Sequence, residues 1–431
     1  MEFKSYPNYK DSGVEWLGKV PEHWRISSLK RYGYFKGGAG FPHAYQGNTE
    51  ENIPFFKVNS LSKDKRFLSS FSDFVGEETA KKLGAKIFPK NSIFFAKVGA
   101  ALLLERIRTN QQPCCIDNNM MGFVIQNELS FDFAFYLMSL IDFKYLVNPG
   151  AVPSINESQI SSFLISVPPI SEQTQIANYL DTETTRIDNL IAKQEKLIEL
   201  LEEQRKSIIS HAVTKGLNPD APMKDSGVEW LGEVPEDWEV KRFGYIFTEN
   251  KKKNIGLIET NVLSLSYGNI KEKNIDDNKG LLPESFETYQ IIEPNDIVFR
   301  FTDLQNDKRS LRNAISKYHG IITSAYIGVK TKENADFYNY LFRAYDLQKV
   351  FYSMGDGMRQ SLKMDELNKM PIVLPKIEAQ ERIVKFINEE NQRINNLVVK
   401  QKNLIEKLKE YRSSIISHAV TGKIDVREFG A

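Results

Sequence analysis

The sequence predicts two tandem copies of a mixed α+β domain (α/β class), joined by two long antiparallel coiled-coil helices with pseudo-two-fold symmetry. First, one block of fifteen residues recurs at an offset of 214, and one block of eight recurs at an offset of 207. Second, the middle of each copy alternates short β-branched or aromatic runs with helix-like apolar spacing. Third, about forty residues without proline or glycine then follow and carry a heptad pattern.

The repeated blocks mark the two ends of each copy. Residues 10–24 read KDSGVEWLGKVPEHW and residues 224–238 read KDSGVEWLGEVPEDW, which differ at only two positions. The octapeptide SIISHAVT stands at 207–214 and again at 414–421. Because the sequence between these blocks diverges strongly, the repeat predicts one shared fold that carries two different surfaces.

Composition limits the class of protein. The chain has 431 residues, of which 41% are hydrophobic and 26% charged, so it can bury real cores and is not disordered. No apolar run is long enough to span a membrane, and the first ten residues lack the apolar stretch of a signal peptide. Cys114 and Cys115 are adjacent and poorly placed for a disulfide. These features predict a soluble cytoplasmic protein. The net charge of +1 argues neither for nor against binding to nucleic acid.

The variable middle of each copy has the size of one compact domain. We predict strands at 92–98, 122–125, 296–301 and 321–329, and helices at 131–145 and 335–351. The predicted domains are a first recognition domain (1–166), a first spacer helix (167–216), a second recognition domain (217–373) and a second spacer helix with a C-terminal tail (374–431).

The two long segments are flanked by residues that are typical of helix ends. Proline precedes each of them, and Gly216 and Gly422 follow. The apolar seam comprises Leu180, Ile187, Ile191, Ile198, Leu201, Ile208, Ile387, Ile394, Val398, Ile405, Leu408 and Ile415. Polar residues interrupt it at the same three places in both copies, at Thr184, Gln194 and Arg205 and at Asn391, Gln401 and Arg412. Such interruptions fix register, so they favour two helices packed on each other over two helices that each lie on their own domain.

Sequence signatures of catalysis are missing. His23, His43, His211, His319 and His418 have no metal-ligand spacing, and the chain contains neither a Walker loop nor an H-E-x-x-H motif. The run FKGGAGF at 35–41 looks like a methyltransferase glycine loop, but it has no counterpart in the second copy. The tetrad that amino-methyltransferases use to hold a flipped base is also absent from the sequence. We therefore predict no catalytic residue, no metal site and no cofactor in this chain.

The blocks SGVEWLGKVPEHW, PPISEQTQIANYLDTETTRID and SIISHAVTKG, and the ending HAVTGKIDVRE, resemble the specificity subunit of type I restriction–modification systems. The resemblance covers essentially the whole chain. It implies a non-catalytic reader of double-stranded DNA with two target-recognition domains, each of which contacts one half of a bipartite site. It implies that the helix pair sets the length of the unspecified spacer. It also implies two modification subunits that bind S-adenosylmethionine and methylate adenine at N6, and restriction subunits that use ATP and Mg²⁺.

Arg, Lys and Gln side chains on loops are the candidates for DNA contact, since they match base edges and phosphates. In the first domain they are Lys63, Lys65, Arg66, Arg106, Arg108, Gln111 and Gln112. In the second they are Lys251, Lys252, Lys253, Lys308, Arg309, Arg312, Arg359 and Gln360. The lysine triplet suits phosphates, because lysine acts as a compact point charge. The two domains differ so much that we expect an asymmetric site.

Two other classes of function remain open at this point. One is an orphan scaffold that holds other proteins without useful DNA affinity. The other is a fused restriction–methylation enzyme, which the missing motifs disfavour. Salt dependence separates the first from a DNA reader, because phosphate contacts make affinity fall steeply as salt rises.

Overall fold

The structure is a computed structural model, and its contacts divide the chain into two compact units. Unit 1 comprises residues 1–193 and 404–431, and unit 2 comprises residues 194–403. The structure describes residues 4–61, 66–69, 73–147, 152–273, 285–302, 304, 311–354 and 361–429.

In unit 1 the strands are β1 (Tyr9–Asp11), β2 (Lys19–Pro21), β3 (Arg25–Ser28), β4 (Gly33–Gly37), β5 (Ile53–Phe56), β6 (Phe74–Val75), β7 (Ile93–Ala96), β8 (Arg108–Thr109), β9 (Cys115–Ile116), β10 (Met120–Ile125) and β11 (Leu164–Val167). The helices are α1 (Glu77–Lys82), α2 (Phe131–Met138), α3 (Glu157–Ser161) and the first part of α4 (Ile170–Lys215).

In unit 2 the strands are β12 (Met223–Asp225), β13 (Glu233–Pro235), β14 (Glu239–Arg242), β15 (Phe247–Glu249), β16 (Leu263–Ser266), β17 (Asn269–Glu272), β18 (Gln290–Ile292), β19 (Ile297–Phe299), β20 (Asn313–Ile315), β21 (Gly320–Ile322), β22 (Ile327–Thr331) and β23 (Pro371–Leu374). The helices are α5 (Phe243–Ile246), α6 (Ala335–Leu347), α7 (Val350–Met354), α8 (Met364–Leu367) and the first part of α9 (Ile377–Val420), whose end belongs to unit 1.

The same sheet topology occurs in both units. An antiparallel four-stranded sheet has the order β4-β10-β7-β8 in unit 1 and β15-β22-β19-β20 in unit 2. An antiparallel strand pair joins the two ends of each variable middle, with Arg25 opposite Val167 and Glu239 opposite Leu374. We call the closed segments, residues 25–167 and 239–374, the variable blocks. Their shared frame confirms the mixed α/β prediction for both copies.

Three predicted elements are interrupted or end early. The strand predicted at 321–329 is two strands, β21 and β22, separated by a turn. The helix predicted at 335–351 breaks after Leu347, where Lys349 adopts a left-handed backbone with φ of 64°. Likewise, the helix predicted at 131–145 ends at Met138. Apolar spacing continues through each break because the residues beyond it also face the core, and spacing alone does not show where the backbone turns.

The two long helices begin and end where the prolines and glycines predict. Gly216 and Gly422 follow α4 and α9 with φ of 79° and 71°, a left-handed conformation that ends a helix at little cost for glycine. Within unit 2, Leu201, Ile394 and Val398 form one buried cluster, and Ala212 packs in a cluster with Ile383 and Ile387. Residue numbers rise along α4 as they fall along α9, so the two helices are antiparallel.

The two arginines of the seam have partners on the facing helix. In unit 1 the Arg412 guanidinium donates to the Asp188 carboxylate at 2.9 Å. In unit 2 the Arg205 guanidinium donates to the Asn395 side-chain oxygen at 2.6 Å. Each residue of the first pair lies 207 residues from its equivalent in the second pair. Both copies therefore have this contact between the helices as well as the apolar seam. A directional contact of this kind fixes the register of the two helices.

In unit 1, a buried carboxylate connects the start of the chain to the first turn of α4. Glu172, in the first turn of α4, accepts hydrogen bonds from the Tyr6 hydroxyl at 2.5 Å and the Trp24 indole at 3.0 Å. Its second oxygen lies 2.8 Å from His23 Nε2. Burial, together with the hydrogen bond to Glu172, raises the pKa of Tyr6 above its ordinary value, so the hydroxyl remains a donor. In the second copy Ala379 occupies the equivalent position, so this cluster is a feature of unit 1.

We expect Glu172→Ala to destabilise unit 1 by about 3 kcal/mol, because two buried donors would lose their acceptor. Glu172→Gln, which keeps one acceptor oxygen, should cost about 1 kcal/mol. Urea unfolding followed by tryptophan fluorescence measures both. The exposed Glu378 at the start of α9 is the matched control, and Glu378→Ala should change stability by less than about 1 kcal/mol. Equal losses for Glu172→Ala and Glu378→Ala would contradict the assignment.

Candidate nucleic-acid interface

A glutamine in the first turn of each long helix fixes the adjacent variable block. Gln173 Oε1 accepts from the Ser130 backbone amide at 2.8 Å, and its Nε2 donates to the carbonyls of Glu128 and Pro168. Ser130 also caps the N-terminus of α2 with its side chain. The glutamine thus holds a helix end of the block and the start of α4 in one hydrogen-bonded unit.

The second copy repeats this set of hydrogen bonds, which we call the clamp. Gln380 Oε1 accepts from the Asn334 amide at 3.0 Å, and its Nε2 donates to Glu333 and to the Pro375 carbonyl. Asn334 caps α6 as Ser130 caps α2. Gln173 and Gln380 lie in the repeated frame at the 207 offset, which is the signal that would have found them in the sequence.

A tyrosine from each block makes a second shared contact with its long helix. The Tyr136 hydroxyl donates to Asp181 at 2.6 Å and lies 3.2 Å from the Thr184 hydroxyl. In unit 2 the Tyr340 hydroxyl donates to Asn388 at 2.8 Å, with Asn391 at 3.5 Å. Thr184 and Asn391 are the first polar interruptions of the seam. Their role is to bind the variable block, a function that heptad analysis does not reveal.

The predicted contacts of the first block divide into exposed and internal side chains. Gln111 and Gln112 are exposed, and Arg106 is half-buried and donates to the Leu61 carbonyl at 3.2 Å. Arg66 pairs with Asp132 and Asp181, and its guanidinium lies over the Phe135 ring, 4.6 Å from the centroid. These contacts occupy Arg66 in attaching the block to α4. Lys63 and Lys65 lie outside the described residues.

Arg108 and Arg312 require a correction. Arg312 is fully buried, donates from Nη1 to the Thr302 carbonyl at 3.2 Å and lies over the Tyr352 ring. Arg108 is 9% exposed and donates to the Ile107 carbonyl at 2.6 Å. A side chain enclosed by its own domain cannot reach a base edge, so the structure removes both from the candidate contacts. Arginine is rarely buried, so its sequence predicts a surface position, and these two residues are exceptions.

The lysine triplet of the second block is exposed. Lys251 lies 3.4 Å from the Glu249 carboxylate and Lys252 lies 3.9 Å from Glu293. Lys253 follows at the start of the loop that leads away from β15, and its backbone forms a bridge to Gln290. Exposed ion pairs are weak, so the ammonium groups of Lys251 and Lys252 can exchange these carboxylates for phosphates. Lys308, Arg309, Arg359 and Gln360 lie outside the described residues.

The two cysteine thiols of the first block are unreactive. Cys114 and Cys115 are free and buried, and burial raises the pKa of Cys115 to about 11 and that of Cys114 further. Both are protonated at neutral pH and are poor nucleophiles. In the described part of the chain, no cluster of His, Cys, Asp and Glu is arranged to bind a metal ion. Over the same residues, no helix is both long and apolar enough to span a membrane.

Comparisons with known proteins agree with this architecture. Residues 21–202 match the family described as type I restriction modification DNA specificity domain. A Methanocaldococcus jannaschii protein, provisionally named the MjaX specificity subunit of a type I restriction enzyme, is 23% identical, with 99% of each chain covered. The EcoR124I/EcoR124II specificity subunit of Escherichia coli is 24% identical over 47% of this chain and 51% of that protein.

Two solved structures share the fold. A chain from a structure of a type I restriction–modification system superposes with a TM-score of 0.66 at 14% identity, covering 93% of this chain and 98% of that one. The crystal structure of the HsdS subunit from Thermoanaerobacter tengcongensis gives a TM-score of 0.55 at 14% identity, covering 94% and 98%.

The family match lies in the first copy, and the second copy has the same order of strands in its four-stranded sheet, so the chain contains two copies of one fold. Residues 21–202 match this specificity domain, and the chain is similar over 99% of its length to a specificity subunit of a type I restriction enzyme.

Proposed function

We propose that each variable block binds one half of a bipartite, asymmetric DNA site and that α4 and α9 set the spacer between the halves. The observation that carries this proposal is the repeated clamp. Gln173 and Gln380, with Tyr136 and Tyr340, attach two divergent blocks to equivalent positions on two equivalent helices. Two different surfaces held on one frame suit two different half-sites.

Base and phosphate contacts come from exposed polar side chains of the blocks. In the first block these are Gln111 and Gln112, with Arg106 at the edge, and in the second they are Lys251, Lys252 and Lys253. A glutamine can form a bidentate pair with adenine in the major groove, whereas lysine binds phosphates without regard to sequence. The first block is therefore proposed to read bases through the side-chain amides of its glutamines. The second block is proposed to bind the phosphates of the DNA backbone through its lysine triplet.

The chemistry belongs to the partners. We propose that two modification subunits bind this chain, that they carry S-adenosylmethionine and methylate adenine at N6, and that ATP- and Mg²⁺-dependent restriction subunits can join them. The buried, protonated cysteines and the lack of catalytic motifs are consistent with a chain that only selects the site.

Co-expression with a modification subunit of the same system, followed by genome-wide sequencing of N6-methyladenine, tests the proposal. We expect methylation at a single motif of two unrelated half-sites separated by a fixed number of unspecified base pairs. Purification of the assembled complex is the control. If the complex assembles and no new methylation is found, the orphan scaffold is the better description, and the isolated complex should then bind DNA at no salt concentration.

A further inference from the structure

An exposed aliphatic loop follows the lysine triplet in the second block. Ile255, Leu257 and Ile258 expose 71%, 51% and 71% of their surface, although they are among the most apolar residue types. Contiguous exposed apolar groups usually mark a binding surface, because leaving them in water has no benefit for the folded monomer. We call residues 254–260 the aliphatic loop.

Hydrogen bonds hold the aliphatic loop in one conformation. Asn254 is fully buried, and its side chain donates to the Glu259 carbonyl at 2.9 Å and accepts from the Glu259 amide at 2.9 Å. The Asn254 backbone amide donates to the Tyr289 carbonyl at 2.9 Å. One buried side chain thus closes both ends of the loop and ties it to the block.

The tip of the loop is fixed in the same way. The Leu257 amide donates to the Asn254 carbonyl at 3.0 Å, and the Gly256 amide donates to Glu287 Oε1 at 2.9 Å. Leu257 has a φ of 53°, a left-handed backbone that is uncommon for leucine. The hydrogen bonds stabilise this strained residue with its side chain in solvent, so the exposed apolar tip is a preorganised feature.

The charge beside the loop indicates what it contacts. Lys251, Lys252 and Lys253 immediately precede Asn254 and are exposed. Two carboxylates at the loop have partners: Glu287 accepts from the Gly256 amide, and Glu259 accepts from the amides of residues 260 and 261 and lies 2.9 Å from His319. An aliphatic tip flanked by cations complements a nucleic-acid groove, in which phosphates border the apolar parts of the bases.

Resting on the proposed function, we infer that the aliphatic loop is a base-contacting element of the second block. The lysines bind the flanking phosphates, and Ile255, Leu257 and Ile258 pack on apolar surfaces of the bases. Those surfaces are the methyl groups of thymines in the major groove or the faces of bases at an opened step. The loop therefore contributes sequence preference, and the lysine triplet contributes affinity that is independent of sequence.

The test begins with the full-length chain in its complex with the modification subunits. Duplexes that this complex retains are selected from a random-sequence pool, and affinity for a selected duplex and an unrelated duplex is then measured against salt. The loop variant is Ile255→Ser, Leu257→Asn and Ile258→Ser, with asparagine at 257 because it tolerates the left-handed backbone. The triplet variant is Lys251→Ala, Lys252→Ala and Lys253→Ala. Leu347→Ser, at another exposed leucine of unit 2, is the matched control.

We expect the loop variant to lose about tenfold affinity for the selected duplex and to bind the unrelated duplex as the wild type does. The triplet variant should weaken both duplexes and reduce the salt slope by about 2 to 3. Replacing thymine by uracil in the selected duplex lowers affinity if the loop contacts methyl groups. Increased 2-aminopurine fluorescence on binding identifies an opened step instead.

Several outcomes would overturn the inference. If the loop variant binds the selected duplex as the wild type does, the aliphatic loop is not a base contact, although the chain still reads DNA. Loss of the modification subunit from the loop variant, with DNA binding by the remainder unchanged, would assign the loop to a protein interface. If the wild-type complex selects no duplex at all, the proposed function fails, and the inference fails with it. Unchanged thermal melting of both variants excludes misfolding as the cause of any loss.

Discussion

Replacing the second variable block with a copy of the first should convert the asymmetric target into a palindromic one. In this chimera, residues 239–374 are replaced by residues 25–167. Since α4 and α9 are antiparallel, two identical blocks attached at equivalent positions should read the same half-site on opposite strands. The methylated motif should therefore consist of the first half-site, a spacer and the reverse complement of that half-site.

The chimera is feasible because the contacts that hold a block occur in both copies. Gln380 can bind the Ser130 amide as Gln173 does, and Asn388 can accept from the Tyr136 hydroxyl in place of Asp181. One contact would be lost, since Arg66 pairs with Asp181 and the second helix offers Asn388 at that position. Adding Asn388→Asp to the chimera supplies the missing carboxylate.

Sequencing of N6-methyladenine in cells that express the chimera and a modification subunit gives the result directly. The reciprocal chimera, with residues 239–374 in both positions, is the control and should yield a palindrome of the other half-site. A direct repeat of the half-site would show that the two blocks are read in the same orientation, contrary to the antiparallel arrangement of the helices. An unaltered asymmetric motif would show that the blocks do not determine the sequence.

Removing residues 421–431 should destabilise unit 1 by about 5 kcal/mol, enough to unfold a marginally stable domain. This tail packs against the start of the chain. Ile424 and Val426 are buried, and burying such side chains contributes about 1.5–3 kcal/mol each. Lys423 Nζ donates to the Leu17 carbonyl at 2.8 Å and to the Lys19 carbonyl, and the Phe429 ring lies 4.6 Å from that of Tyr179.

The second copy makes the same lysine contact within its continuous chain. Lys215 Nζ donates to the Leu231 carbonyl at 2.9 Å and to the Glu233 carbonyl, which are the repeat equivalents of Leu17 and Lys19. In unit 1 the lysine comes instead from the far end of the sequence, so truncation removes it. Unit 2 should keep its stability, because its own linker supplies the contact.

Urea unfolding followed by limited proteolysis would locate the loss. We expect the truncated chain to show an early transition with cleavage in unit 1, while residues 194–403 remain resistant. Glu428→Ala, which removes only the exposed ion pair with Lys4, is the control and should leave the transition unchanged. A truncated chain that unfolds as the wild type does would mean that the tail packing contributes little.

The features that sequence patterns predicted correctly are those with a local or periodic cause. The absence of proline and glycine, with glycine just beyond each end, located α4 and α9, because helix formation and termination depend on residues within one turn. The 214 and 207 offsets predicted the duplicated fold, since similar sequences adopt similar backbones. Strand-like runs located β7, β10 and β19 within the blocks. Even there, spacing could not show the breaks after Met138 and Leu347.

These sequence patterns did not predict contacts between residues that are distant in the chain. Arg312 has the composition of a surface residue, yet its block encloses it and supplies the Thr302 carbonyl and the Tyr352 ring. In the sequence, Glu172 is an ordinary charged residue at the start of a helix, but Tyr6 and Trp24, about 150 residues away or more, converge on it. Such placements depend on how whole elements pack.

The sequence by itself determined the duplication, the two long helices, the mixed α/β blocks and the resemblance to type I specificity subunits, because each of these follows from local propensity, periodicity or repeated motifs. Only the tertiary structure decided which polar residues hold the frame together and which remain exposed to solvent. Gln173, Asp181 and Arg66 are occupied by other residues of the protein, whereas Lys253 and the tip of the aliphatic loop face solvent. The physical reason is that a polar side chain binds the partner that packing brings within hydrogen-bond distance, and that partner can lie anywhere along the chain.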